Sequence, residues 1–376
     1  MIPISNLRGR RIVRASLAAA RWAGAVLASA AVNAAETGCD AHWQLQARHE
    51  QHSDALALRD FGDGASAKLA PRSGRNLAYV DDEVRASRGS CIGTWSVMAR
   101  QSATLVTSRG ALALALDAAS AGRPAHSERW DVRGRYLAFV GAGIEWQGLW
   151  APRPGWTLGF GAQGLALRHL RERQIDGMAG FDAASQAYDF DLASFEASDR
   201  LAFPFQTGFS ARGWGLLFSG QIAWQGEQFG ARLALHDAGW LRWSGLPQQD
   251  ARLASATQAF DSDGFVIYQP LIQGSNSQPG RTRSPPLRMT VAMDWRFDAR
   301  SRMELRLDSL QGYGVLPAVS ASRDFGDLRL GMAWRSHERR TTLGLSWRGW
   351  RIDIGADRLG RGARSEEFGL TYRWPH

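Results

Sequence analysis

Eight residues near the C-terminus, Glu367-Phe368-Gly369-Leu370-Thr371-Tyr372-Arg373-Trp374, constrain this chain more than any other stretch. Phe368, Leu370, Tyr372 and Trp374 share one face of an extended strand, and Gly369, Thr371 and Arg373 share the other, because strand side chains alternate with period two. One face is apolar and the other wet. The pattern recurs almost without a break from residue 287. Leu287, Met289, Val291, Met293, Trp295 and Phe297 oppose Arg288, Thr290, Ala292, Asp294 and Arg296; Met303, Leu305 and Leu307 oppose Glu304, Arg306 and Asp308. Leu328, Leu330, Met332 and Trp334 oppose Arg329, Ala333 and Arg335, and further two-faced strands follow over 340–348 and 350–358. The period of 3.6 that marks a helix does not compete in this region, so it reads as a meander of short hairpins.

Earlier segments repeat the signal less regularly. Trp43, Leu45 and Ala47 alternate with Gln44, Gln46 and Arg48. Residues 51–75, with Gly62, Gly64, Pro71 and Gly74, read as a loop. Alternation returns over 76–86, 92–106, 111–116 and 130–150, the last long enough for two strands turning near Gly141–Gly143. Trp156 to Gln163 forms a further strand before a charged tip at Arg168–Asp176, and Leu216 to Leu235 forms a hairpin around Gln225-Gly226-Glu227-Gln228. Residues 244–286 are loop-rich. Asp261-Ser262-Asp263-Gly264 lacks the later oxygen ligands and the distant Glu of a calcium loop, and reads as a turn. Gly159, Gly161 and Gly164 sit in strand alternation with no helix after them, which fits a dinucleotide fingerprint poorly.

The N-terminus reads as an export signal. Arg8, Arg10, Arg11, Arg14 and Arg21 precede a small apolar run from Trp22 to Val32, and Val32-Asn33-Ala34 gives the small-x-small spacing of a cleavage site after Ala34 or Ala35. The apolar run is shorter than the roughly 20 residues of a helical span. Without residues 1–34, the 45 basic residues drop by five against 36 acidic ones, leaving about +4. That balance gives no reason to invoke nucleic acid. Cys39 and Cys91 are the only cysteines. In an oxidising compartment they can form a disulfide, with two free thiols as the alternative.

A soluble sandwich would also alternate, burying its apolar face. Three features favour lipid on that face instead. The strands run about nine to eleven residues, the length that spans a tilted bilayer crossing. If the last strand runs towards the periplasm, parity gathers Trp295, Phe297, Trp347, Trp350 and Trp374 at one rim and leaves Trp334 at the other, as in an aromatic girdle. The same parity puts the short turns at 298–301, 324–326 and Gly349 on the periplasmic side and the long 274–286 stretch outside. On the export signal, the strand pattern and the final strand with its Gly369, Tyr372 and Trp374, the chain resembles the Gram-negative outer-membrane β-barrels. Pro375 and His376 depart from the class habit of ending on the aromatic. The resemblance implies an all-β, antiparallel up-and-down transmembrane barrel over residues 35–376, inserted by the barrel assembly machinery through its C-terminal strand. Sixteen strands are expected, within a range of 12 to 18.

With lipid outside, the wet face lines the lumen. Its expected lining comprises Arg288, Arg296, Arg306, Arg329, Arg335, Arg340, Arg348, Arg351 and Arg373, with Asp294, Glu304, Asp308, Asp353 and Asp357. A ring of guanidinium groups would favour anions, giving a porin-like passage for small polar or anionic solutes. The same residues could equally form cross-strand ion-pair ladders that stiffen the wall of a non-catalytic scaffold or assembly accessory. A rim-sited hydrolase would need His, Ser and carboxylate groups together. His126-Ser127-Glu128, Ser336-His337-Glu338, Asp81-Asp82 and His236-Asp237 are the candidates, but sequence neighbours on a strand point to opposite faces. No enzyme activity, cofactor or metal is expected, and the oligomeric state is not legible.

Overall fold

The computed structural model describes residues 42–374 except 63, 91–92, 121–123, 204–211, 256–257, 261–265 and 269–270. The expected signal segment 1–34, Cys39 and Cys91 lie outside the described residues. The strands are β1 (Trp43–Ser53), β2 (Arg75–Ser90), β3 (Gly93–Ser108), β4 (Glu128–Arg153), β5 (Trp156–Asp182), β6 (Ala187–Ser198), β7 (Arg212–Gln225) and β8 (Phe229–Ser244). Then come β9 (Gln248–Ala254), β10 (Gln258–Phe260), β11 (Val266–Tyr268), β12 (Ile272–Ser277), β13 (Arg281–Arg283) and β14 (Arg288–Arg296). The last are β15 (Ser301–Leu310), β16 (Gly314–Phe325), β17 (Leu328–Arg335), β18 (Arg340–Trp347), β19 (Trp350–Ala356) and β20 (Ser365–Arg373).

Each ring strand pairs antiparallel with its neighbour in the order β1, β2, β3, β4, β5, β7, β8, β14, β15, β16, β17, β18, β19, β20. β20 then pairs with β1, Gln44 opposite Arg373 and His52 opposite Ser365, so the sheet closes on itself. The result is a closed barrel with 14 strands in the wall and β6, β9, β12 and β13 added at one end, 18 strands in one sheet. The wall therefore has two fewer strands than the sixteen expected, inside the range of 12 to 18. Closure leaves no edge with unpaired backbone groups, which a sheet in hydrocarbon requires.

The two ends differ. Connections at 153–156, 225–229, 296–301, 325–328 and 347–350 are short, and both described termini lie at the same end. Gly349 illustrates why: its φ is +85°, and a Cβ there would lie 2.3 Å from the carbonyl oxygen of Arg373. At the other, upper end the connections at 183–186, 311–313 and 336–339 are also short, but 54–74, 109–127 and 357–364 are long. Three wall strands are interrupted partway up. β6 and β7 follow one another down the edge of β5, β8 and β9 follow one another upward, and β12, β13 and β14 descend in succession. The stretch read as loop-rich, 244–286, thus contains β9, β12 and β13 as additions to the wall. β12 pairs with β9 and β13 with β8, so residues 272–283 extend the wall and do not fold into the lumen as a plug.

Three expectations need correction. Trp130–Trp150 is not a hairpin: β4 runs straight through Gly141–Gly143, and Arg168 is the extra residue of a bulge in β5 where Val140 pairs with His169 and Gly141 with Leu167. Gly143 permits close backbone approach, since a Cβ there would fall 1.8 Å from the carbonyl oxygen of Gly164. The charged stretch Arg168–Asp176 is accordingly strand and not a tip. Ala111–Leu116 is not a strand but part of helix α1 (Arg109–Asp117). Alternating Leu and Ala satisfy both periods, and both residues rank high in helix propensity. Ser108 settles the choice by capping: its Oγ accepts a hydrogen bond from the Ala111 N–H.

Helix α1 and the 54–70 segment form a small cap on the outer face of the upper sheet. Leu112 is buried with Ala55, Leu56, Ala65 and Leu69, and Trp130, Val132, Ala179, Phe181 and Leu192 form the adjoining cluster. Below the cap the outer face is apolar and uncovered, with Ile144, Phe160, Met293, Met332, Leu343 and Ile354 each at least half exposed. Leu112→Ala should cost the cap about 2–5 kcal/mol locally. Amide exchange should quicken in 109–117 while the barrel keeps its heat-modifiable mobility.

Candidate functional site: a charge cluster across the lumen

Alternation carries Arg48 and Glu50 of β1, Asp81 of β2, Arg100 of β3 and Arg288 of β14 to the inner face. There they meet. Asp81 accepts from Arg48 Nη2 at 2.8 Å and Arg288 Nη1 at 2.7 Å, with Arg100 Nε at 3.4 Å. Arg100 also grips Asp237 of β8 with two parallel hydrogen bonds, 2.5 and 2.8 Å. Asp237 reaches it from an irregular point in β8 where the backbone adopts φ +65°. β2 and β14 lie six places apart in the ring of fourteen, so the Asp81–Arg288 contact crosses the barrel from wall to almost opposite wall.

A second cluster adjoins the first through Glu50, which lies 3.3 Å from Arg48. Glu50 accepts from Arg335 at 2.8 Å, Arg340 at 2.6 Å and the Tyr79 hydroxyl at 2.8 Å. Glu338 lies 2.8 Å from the same hydroxyl, whose single proton serves one carboxylate at a time, and 3.1 Å from Arg340. Arg340, with no solvent exposure, also reaches Glu367 at 3.1 Å. Buried charges survive only when paired and hydrogen-bonded this densely. Beside them the interior is apolar: Met98, Phe139, Leu165, Leu167, Leu170, Leu217, Leu241 and Trp243 pack together inside the wall formed by β3, β4, β5, β7 and β8. Leu77 and Tyr79 touch Leu310 and Leu316 across the upper lumen. The inner face is therefore not uniformly wet, and the barrel is filled at mid-height.

The lower lumen is open. A cavity of about 530 Å³ is lined by Arg329, Arg348, Arg351 and Arg373 together with Asp324, Asp327 and Gln44. The other expected lining residues are spread along the wall. Arg306 lies 3.0 Å from Asp308, Glu304 lies 3.3 Å from Arg232, and Asp294 accepts from Gln225 at 3.4 Å. Arg351 pairs with Asp353 at 2.8 Å, Arg348 lies 3.4 Å from Asp327, and Arg329 with Asp324. Arg373 donates to Gln44 at 3.3 Å, and the Arg296 Nε is buried with no partner. Asp357 stands apart, in the β19–β20 turn, where it accepts from the Arg364 and Ser365 N–H groups. On the outer face at the lower end, Trp295, Phe297, Trp347, Trp350 and Trp374 are each two-fifths or more exposed. Trp295 stacks on Phe229, Tyr372 contacts Trp350 and Trp374, and Trp334 sits near the opposite rim.

The residues weighed for hydrolysis do not assemble a Ser-His-acid triad. Ser127 Oγ hydrogen-bonds Asp182, Ser336 Oγ donates to the Pro317 carbonyl, and Asp81 and Asp237 are held by arginines. His337 turns instead towards Asp54 in the upper mouth. Burial works to raise the Asp54 carboxyl, but hydrogen bonds from His337, His52 and the Leu77 N–H overcome it and hold the group far below its ordinary value. Desolvation and the Asp54 charge push the Tyr313 phenol up. Glu50 and Arg100 are not singled out in the sequence, yet Glu50 shares the wet parity of Gln44, Gln46 and Arg48, as Asp81 does with Glu83 and Arg85. What no sequence signal gave was that the opposing walls touch.

No sequence-family description matches the chain, and no curated protein sequence is significantly similar to it. Among solved structures, a mutant of the TodX monoaromatic hydrocarbon channel is 11% identical, covers 89% of each chain and superposes with a TM-score of 0.39. A Pseudomonas aeruginosa FadL homologue is 11% identical over 89% of this chain and 90% of its own, with a TM-score of 0.38. A mutant Rh. blastica porin is 8% identical over 89% of this chain and 100% of its own, with a TM-score of 0.24. At these values function is read from the site.

Proposed function

We propose that the protein is an outer-membrane channel, exported by its N-terminal signal and inserted by the barrel assembly machinery, that admits small polar and preferentially anionic solutes. The observation that carries this reading is the combination of an uncovered apolar outer belt with a lower lumen lined by Arg329, Arg348, Arg351 and Arg373. Lipid satisfies the first, and a passing anion is stabilised by the second. The charge cluster at Asp81, Arg100, Asp237 and Arg288 makes the resting state closed or nearly so. Conduction requires those contacts to part.

In planar bilayers the wild-type barrel should conduct weakly, with a reversal potential across a salt gradient that favours anions. Removing both partners of the central pair, Arg100→Ala with Asp237→Ala, should raise conductance several-fold without leaving an unpaired buried charge. A silent double variant would remove the channel reading. It would leave the alternative, a rigid scaffold whose ion-pair ladders serve only to hold its wall, which the dense pairing at Glu50 and Arg340 independently favours.

A further inference from the structure

Three side chains that play no part in the lumen charge cluster converge at the upper mouth. His52 is the penultimate residue of β1, Asp54 begins the segment after it, and His337 sits in the turn between β17 and β18. The Nε2 atoms of both histidines lie 3.0 Å from the same oxygen, Asp54 Oδ1. All three potential ligand atoms lie within 4.8 Å of one another. His52 and Asp54 are fully buried and His337 is about one-fifth exposed at its side chain, so a path from solvent leads in past His337. Asp54 Oδ2 is occupied by the Leu77 N–H at 2.8 Å and the Tyr313 hydroxyl at 3.2 Å, which fixes the carboxylate with Oδ1 turned to the histidines.

We propose that His52, Asp54 and His337 bind a divalent transition-metal ion of the zinc type. Ligands about 2.0–2.1 Å from a tetrahedral ion stand roughly 3.3 Å apart, and the two nitrogen–oxygen separations are already close to that. Two imidazoles select against calcium and magnesium, which take oxygen ligands. The Tyr313 hydroxyl, 2.9 Å from His337 Nε2, borders the remaining coordination position. One group opposes the ion: Arg72 Nη1 lies 2.6 Å from Asp54 Oδ1 and 3.2 Å from the His337 carbonyl oxygen. Its side chain is one-third exposed and can swing outward when the ion enters. Binding would tie the β1–β2 segment to the β17–β18 turn and stiffen the mouth. This site was invisible to sequence spacing because His337 follows His52 by 285 positions and only barrel closure joins them.

The test is titration calorimetry of untagged, detergent-folded full-length protein with Zn²⁺, with barrel integrity checked by heat-modifiable mobility. Wild type should bind one ion, and substituted Co²⁺ should show the visible absorption of a nitrogen-and-oxygen tetrahedral site. His337→Ala should weaken binding by at least tenfold. Arg72→Ala should tighten it, because a like charge leaves the site, an outcome that a merely structural hydrogen-bond cluster does not produce. Absence of saturable one-to-one binding in wild type, or equal affinity in folded His337→Ala, overturns the proposal. Conduction is not involved in either readout, so the site stands or falls apart from the channel reading.

Discussion

Arg340→Ala is expected to be the most damaging single substitution in the barrel interior. Arg340 is fully buried and donates to Glu50 at 2.6 Å and to the Ser365 hydroxyl at 3.1 Å, with Glu338 and Glu367 each 3.1 Å away. Truncation strands two buried carboxylates with Arg335 as the one remaining guanidinium close to both, at 2.8 and 3.3 Å. Removing one partner of a buried ion pair costs about 3–5 kcal/mol, since the surviving charge keeps its desolvation penalty and loses its compensation. The urea midpoint of the folded barrel should fall accordingly. Arg340→Lys should recover little, because one ammonium cannot reproduce the fork that reaches Glu50 and Glu338 together. Arg340→Met combined with Glu338→Gln should recover more than the lysine variant. If Arg340→Ala unfolds at the wild-type urea concentration, the cluster is not a desolvated network.

The same residue shows how far the sequence could be read. Period two placed Arg335, Arg340 and Glu367 on the wet face, and β17, β18 and β20 carry them inward as that parity requires. The antiparallel hairpin order, the short lower turns and the uncovered apolar belt are legible from alternation and from the turn residues between strands, because each is a local property of the sequence. What alternation could not supply is distance across the lumen. Whether Arg288 faces water or meets Asp81 depends on how the ring is flattened, and that is set by side chains 207 positions apart. Local ambiguity had a different cause at Ala111–Leu116, where alternating Leu and Ala, apolar at every position, suit a strand and a helix alike. Over 244–286 the wall strands break and resume in short pieces, as β8 does into β9, and pieces such as β13, three residues long, are too short for alternation to show.

The outer belt yields a prediction that separates a lipid-facing wall from a soluble one. Leu343 of β18 lies between the two rims, pairing with Met332 on one side and Ile354 on the other, and is 61% exposed. In a soluble protein an arginine at so exposed a position would cost almost nothing. Facing hydrocarbon, it should cost about 2–4 kcal/mol near the midplane. Unfolding of Leu343→Arg measured in lipid vesicles supplies the number, and Ser320→Arg supplies the control. Ser320 faces inward on β16 opposite Glu304, where an added guanidinium meets a carboxylate instead of lipid. The expected pattern is asymmetric, with a large loss for Leu343→Arg and less than about 1 kcal/mol for Ser320→Arg. Equal costs would mean that the apolar face does not meet a bilayer, and the channel reading, which rests on that face, would go with it.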